Sequence, residues 1–353
     1  MFAEKIIRIS NVDKSGSDVY SRYQYQLACV FATFLTLYKT TNDFYILLDY
    51  LDDYVIIQSD ENNKELITFI QVKTKNDGPF TLYTVFKNQW FLKQAKNHLN
   101  FLDENIRNIL QTNFGIKVSN TTFNSEKLVP LVDLEDNNYL QKIKDEINQI
   151  TGINDLSDYY VIKSKLTLDD FSNQLRGLLD EYIADNGYTK LTHDSITTIY
   201  RKIWSVLEEK QKNIVDVAEA RVLDKIIEKK AVKYSSIQEI FKTMMDIQLP
   251  EEGKISSFVH NNRLFLDTFD ISNLGKIFRD FRRETVRNNF SVVRESWSYL
   301  KDNNERIDYA DTFQLSKSIF NLISENAIVN TTEFFKQYHI CISILFTYKL
   351  SEY

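Results

Sequence analysis

The stretch from Leu47 to Lys73 constrains the fold more than any other part of the chain. It reads LLDYLDDYVIIQ, then a polar segment from Ser59 to Glu65, then LITFIQVK. Two runs rich in β-branched and aromatic residues, Tyr54 to Gln58 and Leu66 to Val72, flank a segment with the composition of a hairpin loop. With the turn centred on Asn62, cross-strand partners have numbers that sum to 124, so Asp53 faces Gln71. Side chains alternate along a strand, which puts Lys73 on the face shared by Gln71 and Asp53. An acid, an amide and a lysine are therefore expected together on a sheet that is otherwise apolar on both faces.

A chain of 353 residues can hold two domains with separate cores. Its 8 Gly and 3 Pro exclude long Gly/Pro linkers. The 2 cysteines, Cys29 and Cys341, lie in apolar surroundings far apart in sequence and away from other metal ligands, which predicts buried reduced thiols and a cytoplasmic protein. The N-terminus lacks the apolar core of a signal peptide, and no run reaches the roughly 18 apolar residues of a membrane span. A net charge of -6 argues against a surface coated for nucleic acid, so any DNA contact falls to a local basic patch.

Residues 1 to 15 read as an arm or short strand. From Val19 to Tyr38, apolar residues at Tyr23, Leu27, Val30, Phe31, Phe34 and Leu37 have helical spacing, with Tyr25 and Gln26 as polar groups on a core-like helix. Phe44 to Leu48 reads as a strand, Leu82 to Asn100 as a helix carrying Lys87, Lys93 and Lys96, and Phe114 to Val118 and Leu128 to Val132 as two more strands. Helix, strands, helix, strands within residues 1–135 predict an α/β or α+β domain whose sheet is covered by helices. From 136 to 353 the pattern is mainly α-helical, with helices expected over Tyr139–Ile150, Phe171–Ala184, His193–Lys212, Ile214–Glu228, Ser236–Ile247, Leu274–Asn289, Phe290–Lys301, Thr312–Asn326 and Thr332–Lys349.

Metal-assisted phosphodiester hydrolysis needs a carboxylate, another hard oxygen ligand and a cation beside the attacking water. Asp53 supplies the first, the Gln71 carbonyl with the Val72 backbone carbonyl the second, and Lys73 the third. The same residues also fit the solvated rim of an ordinary hairpin. Arg279, Arg283 and Arg287, four apart in a predicted helix with Arg282 and Arg294 beside them, form a stripe suited to phosphates, to an acidic partner or to local Glu and Asp pairs. Histidines 98, 193, 260 and 339 are scattered, and no Walker loop, serine nucleophile elbow or dinucleotide fingerprint occurs.

A helix bearing Tyr25-Gln26, a strand with Asp52-Asp53 and a strand ending Gln71-Val72-Lys73 together resemble the PD-(D/E)XK nuclease domain of bacterial antiphage effectors in the CBASS and Lamassu systems. The motifs cover about residues 15 to 75. The resemblance implies a restriction-endonuclease-like N-terminal domain over 1–135 and a helical domain over 136–353 for partner binding, oligomerisation or regulation. It implies a double-stranded DNA endonuclease using Mg²⁺ or Mn²⁺, with Asp53, Gln71, Lys73, Asp49 and Gln26 in the catalytic site and Asp53, Gln71 and Val72 on the metal. Asp49 stands where the family usually has Glu. Lys75, Lys87, Lys93 and Lys96 are expected along the DNA path. The helical second half fits the Lamassu arrangement, in which an SMC-like ATPase subunit and an accessory subunit hold the nuclease until it is released to form an active homo-oligomer. The alternatives are a CBASS-type effector gated by a cyclic oligonucleotide and a non-catalytic interaction subunit that keeps the fold.

Overall fold

A computed structural model describes residues 20–59, 65–101, 105–134, 138–152, 156–188, 191, 193–216, 219–247, 252–262, 264, 296, 298–307, 311–325, 341 and 343–348. The chain forms two compact units, one running to Asn186 and resuming over Val206–Gln238, the other comprising Gly187–Ser205 and the chain from Glu239.

The first unit is built on a mixed sheet. Helix α1 (Tyr20–Leu37) precedes the antiparallel strands β1 (Phe44–Tyr50), β2 (Asp52–Ser59) and β3 (Glu65–Lys73). The hairpin register is the expected one: Tyr54 pairs with Ile70 and Ser59 with Glu65, although the loop tip at 60–64 lies outside the described residues. After β3 come β4 (Phe80–Thr81), α2 (Leu82–Lys87), α3 (Trp90–His98) and β5 (Asn105–Thr112). β5 is parallel to β3, from Leu66 beside Asn105 to Lys73 beside Thr112. Parallel neighbours need a long crossover, which α2 and α3 supply.

Sequence patterning missed β5 because NIRNILQT mixes exposed polar and buried apolar positions without clean alternation. The expected strand at 114–118 is only β6 (Ile116–Val118), which joins β4 and β7 (Thr121–Phe123) in a small second sheet. The expected strand at 128–132 shrinks to β8 (Val129–Pro130) and a single helical turn. The helix expected over 82–100 breaks after Lys87, because Gln89 takes φ 54°, a left-handed conformation that an α-helix cannot continue through.

Beyond residue 135 the chain returns to the main sheet twice. Helix α4 (Asn138–Thr151) leads to β9 (Tyr159–Lys163), which lies parallel to β5 and antiparallel to β8. Helices α5 (Phe171–Asp185), α6 (His193–Lys212) and α7 (Leu223–Lys230) precede β10 (Ala231–Lys233), which pairs antiparallel with β1. The strand order is β10-β1-β2-β3-β5-β9-β8. A mainly helical reading passed over β9 and β10, which are only 5 and 3 residues long and too short to show a period of two.

The sheet is wrapped in apolar side chains. Leu27, Val30, Phe31 and Phe34 on α1 are buried at the spacing read from the sequence. One cluster joins Val55, Ile57, Ile67 and Phe69 to Phe101, Val215 and Ile226. Another joins Leu110 and Val161 to Phe91 and Ala95 on α3 and to Ile143 and Ile147 on α4. Each such aliphatic side chain contributes about 1.5–3 kcal/mol on burial. Cys29 and Cys341 are both buried and free.

In the second unit the described residues are mainly helical, with α8 (Tyr234–Ile247) continuing into it, followed by α9 (Glu252–Asn261), α10 (Thr312–Glu325) and a helical stretch at 343–348. The stretch from Leu274 to Arg294, with the arginine series 279, 282, 283, 287 and 294, lies outside the described residues, as do residues 1–15. Among the described residues no helix is long and apolar enough to cross a membrane.

Gln89 is exposed and its side chain makes no cap hydrogen bond, while its backbone N–H donates to the Phe86 carbonyl and its carbonyl accepts from the Lys93 N–H, contacts that a glycine would keep. Gln89→Gly should stabilise the protein by about 0.5–1 kcal/mol and Gln89→Val destabilise it by about 1 kcal/mol, read as opposite shifts of the urea midpoint.

Candidate active site

The site grows from the way β1 turns into β2. Tyr50 pairs with Asp52 across a reversal in which Leu51 has φ 70° and Asp49 φ 49°. Leu48 pairs with Tyr54, which leaves Asp49 and Asp53 as the intervening residues on the two strands. On its other side β2 follows β3 only as far as Tyr54 and Ile70. Beyond that pair the Val72 backbone N–H donates to Asp53 Oδ2 at 2.6 Å, so a carboxylate takes the place of a main-chain acceptor. Lys73 Nζ stands 3.7 Å from the same oxygen. Asp53 and Lys73 are both partly exposed, while Gln71 is buried at 8% exposure. The Gln71 Oε1 atom is buried without a hydrogen-bond partner among the described residues. The same holds for Gln94 Oε1, Gln211 Oε1 and the Asn108 amide, and each such group forfeits its hydration.

Two residues outside the expected catalytic set brace this arrangement: Asp52, which the sequence showed only as the partner of Asp53, and Gln94, which it did not single out. Asp52 Oδ2 accepts from Gln94 Nε2 on α3 at 2.9 Å, and Asp52 Oδ1 accepts from the Asp53 backbone N–H at 3.1 Å. The same Gln94 amide nitrogen lies 3.4 Å from the Phe69 carbonyl and 3.3 Å from that of Ile109, tying Asp52 to β3 and β5. Burial pushes the Asp52 carboxyl well above the ordinary carboxylate range, and the charge of Asp53 adds to the shift. The signal for Gln94 was its position: a polar side chain at 1% exposure beside Phe91 and Ala95 on the buried face of α3. A third brace is Asn113, which accepts from the Lys75 N–H at 3.1 Å and donates to the Lys75 carbonyl at 2.7 Å, fixing the chain as it leaves β3.

The remaining expected residues are placed as follows. Asp49 is exposed and acts electrostatically on Tyr23 of α1 and Lys230 of α7. Burial raises the Tyr23 phenol to about 12, with the charges of Asp49 and Glu208 adding to it. Lys230 is 3% exposed and donates to the Gln211 carbonyl at 3.1 Å; burial lowers its pKa and Asp49 opposes that shift. Gln26 is half-buried one turn along α1 from Tyr23 and makes no hydrogen bond to Asp53, Gln71 or Lys73. Tyr25 is structural: its hydroxyl donates to the Leu166 carbonyl at 2.7 Å, and its ring meets Phe171 edge-on. Lys75 lies over the Phe80 ring and Lys87 over Tyr83, while Lys93 and Lys96 are exposed on α3.

Because the folded Asp52 carboxyl holds its proton more tightly than the unfolded one, its stabilising contribution is full below the unfolded pKa and is lost as pH rises through the raised folded pKa. In EDTA, the melting temperature of the wild type should fall from about pH 4 to about pH 7 relative to that of Asp52→Asn, which keeps an oxygen for Gln94. Parallel Tm profiles for the two proteins would show that Asp52 does not titrate in this way.

Residues 14–211, more than half of the chain, match the family described as Cap4, dsDNA endonuclease domain. The matched stretch contains every residue of the site from Gln26 to Gln94. Over 256 residues the sequence is also 23% identical to the Lamassu protein LmuA of Bacillus cereus (strain VD014), a match that covers 71% of this chain and 65% of that protein, just under two thirds of its length. The extent of the family match shows that the chain belongs to the Cap4 double-stranded DNA endonuclease domains, a family of antiphage effectors.

Proposed function

We propose that the chain is a divalent-metal-dependent endonuclease of duplex DNA with a restriction-endonuclease-like first unit and its reaction centre at Asp53, Gln71 and Lys73. The observation that carries this reading is the buried, unpartnered Gln71 Oε1 beside a carboxylate that already engages Val72 and Lys73. An amide oxygen and a carboxylate are hard donors of the kind that Mg²⁺ and Mn²⁺ take, and a cation bound there would satisfy the orphaned oxygen. Among the described residues no three His, Cys, Asp or Glu side chains cluster at metal-ligand distance, so the donor set rests on Asp53, the Gln71 amide and the Val72 carbonyl.

A metal bound there supplies Lewis-acid stabilisation of the phosphate charge that develops in the transition state. The protein's own groups do the rest. Lys73, held by Asp53, orients the attacking water and neutralises charge on the phosphate. The brace from Gln94 to Asp52 keeps the start of β2 in place, and pairing of Lys73 with Thr112 on β5 keeps the end of β3 straight. In this reading Asp49 and Gln26 serve as a second acid and amide of the centre, roles that the family resemblance supports. Lys75, Lys87, Lys93 and Lys96 lie along the path of the duplex.

One such site cuts one strand, so double-strand cleavage brings two copies together in a homo-oligomer. The likeness to a Lamassu protein and the mainly helical second unit support gating of the Lamassu type, in which an SMC-like ATPase and an accessory subunit hold the nuclease until release. The match to an endonuclease domain of CBASS effectors favours a second reading, activation by a cyclic oligonucleotide. Co-purification with an SMC-like ATPase, set against a thermal shift with cyclic oligonucleotides, separates the two.

In a plasmid-nicking assay with Mg²⁺, Asp53→Ala and Lys73→Ala should each slow cleavage by about 100-fold or more, since each removes about 3 kcal/mol of metal or charge stabilisation from the transition state. Gln71→Leu should weaken Mn²⁺ binding measured by calorimetry. Undiminished cutting by Asp53→Ala or Lys73→Ala removes the site assignment.

A further inference from the structure

The lysines of the first unit are distributed unusually. Lys73 Nζ lies 6.0 Å from the centre of the Trp90 ring and Lys75 Nζ 4.9 Å from that of Phe80. Lys87 Nζ is 5.9 Å from Tyr83, and Lys142 Nζ sits 5.6 Å from Phe86 and 5.4 Å from Tyr139. The rings themselves touch: Phe80 meets Trp90 at 5.5 Å, Tyr83 meets Tyr139 at 5.3 Å and Phe86 meets Tyr139 at 6.0 Å. Phe80, Phe86, Trp90 and Tyr139 share one hydrophobic cluster. An aromatic ridge studded with cations therefore runs from Lys73 along α2 to the start of α4.

Two features of this ridge point outward. Tyr83 is 48% exposed, and Lys87 and Lys142 reach solvent beside it. Neither lysine is ion-paired with a carboxylate among the described residues, in a chain with 49 acidic residues against 43 basic ones. An aromatic face attracts an ammonium group and restrains its chain, so less rotamer freedom is lost when the ammonium meets an anion.

We propose that the α2–α4 face is the docking surface for the phosphate backbone of duplex DNA flanking the scissile phosphate, with Lys87 and Lys142 contacting phosphates and Tyr83, Phe86 and Tyr139 seating them. The proposal rests on the nuclease reading of the site at Lys73, from which the ridge is continuous. It adds α4, and Lys142 in particular, to the lysines that the sequence placed along the DNA.

Anisotropy of a short labelled duplex with the full chain in EDTA tests the surface without cleavage. Lys87→Gln combined with Lys142→Gln should weaken binding about tenfold at moderate salt and reduce the slope of log K against log[salt] by about 2, near 0.9 for each phosphate no longer neutralised. Lys87→Arg combined with Lys142→Arg should restore both. An unchanged affinity, an unchanged slope or a parent chain that does not bind duplex overturns the proposal. The nuclease reading fails separately: Lys73→Ala would then nick plasmid at the wild-type rate whatever the two lysines do to binding.

Discussion

The structure around the site depends on one substitution of hydrogen-bond partners, the Asp53 carboxylate in place of a main-chain carbonyl for the Val72 N–H. A buried N–H must be paired, and where β2 parts from β3 the neighbouring strand no longer offers an acceptor. A carboxylate makes a stronger, charge-assisted bond there than a neutral carbonyl. The exchange has two consequences. It holds the carboxylate against the backbone of β3, and it leaves the residue after Val72, Lys73, 3.7 Å from the same oxygen. Around it, Gln94 ties Asp52 to β3 and β5, and Asn113 fixes the chain at Lys75 as it leaves β3.

The electrostatics of this end of the sheet suit an amide rather than an acid at position 71. Gln71 lies in the second half of β3, flanked by buried Ile70 and Val72. A third carboxylate beside Asp52 and Asp53 would add like charge to a place where burial already disfavours ionisation at Asp52. Gln71 offers a hard oxygen without that charge. Its cost is an unsatisfied carbonyl in the unliganded protein, about 1–3 kcal/mol for a buried neutral group.

Much of this was legible because the hairpin encodes its own register. Two apolar strands about a polar loop allow few pairings, and a slip of one residue would expose the whole apolar set, so Tyr54 opposite Ile70 followed from pattern alone. Helix α1 was legible for the same reason, since its buried positions recur at helical spacing. The rest was hidden where local sequence does not determine structure. β5 owes its strand conformation to neighbours on both sides, β9 and β10 are too short to show a period, and Gln94 reads as an ordinary helix residue until β3 and β5 supply its partners. Asp52 was visible only as half of a pair, and nothing in its spacing told which of two adjacent acids would be braced by Gln94 and which would engage the Val72 N–H and Lys73.

The two short strands missed by pattern also change how the second half of the chain relates to the site. β10 pairs with β1 at Leu47, two residues before Asp49, and it is preceded directly by the buried Lys230. A lysine is seldom buried unless a partner holds it, and here the Gln211 carbonyl and the charge of Asp49 do so. Gln211 is the last residue of the family match, and Lys230 lies beyond it. The acid on β1 is thus set by a segment that returns to the sheet after the chain has contributed Gly187–Ser205 to the second unit. A disturbance that loosens β10 from β1 acts on Asp49 through Lys230 without touching Asp53 or Lys73. Asp49 takes the left-handed conformation that aspartate tolerates better than most residues, so its backbone geometry is compatible with that support.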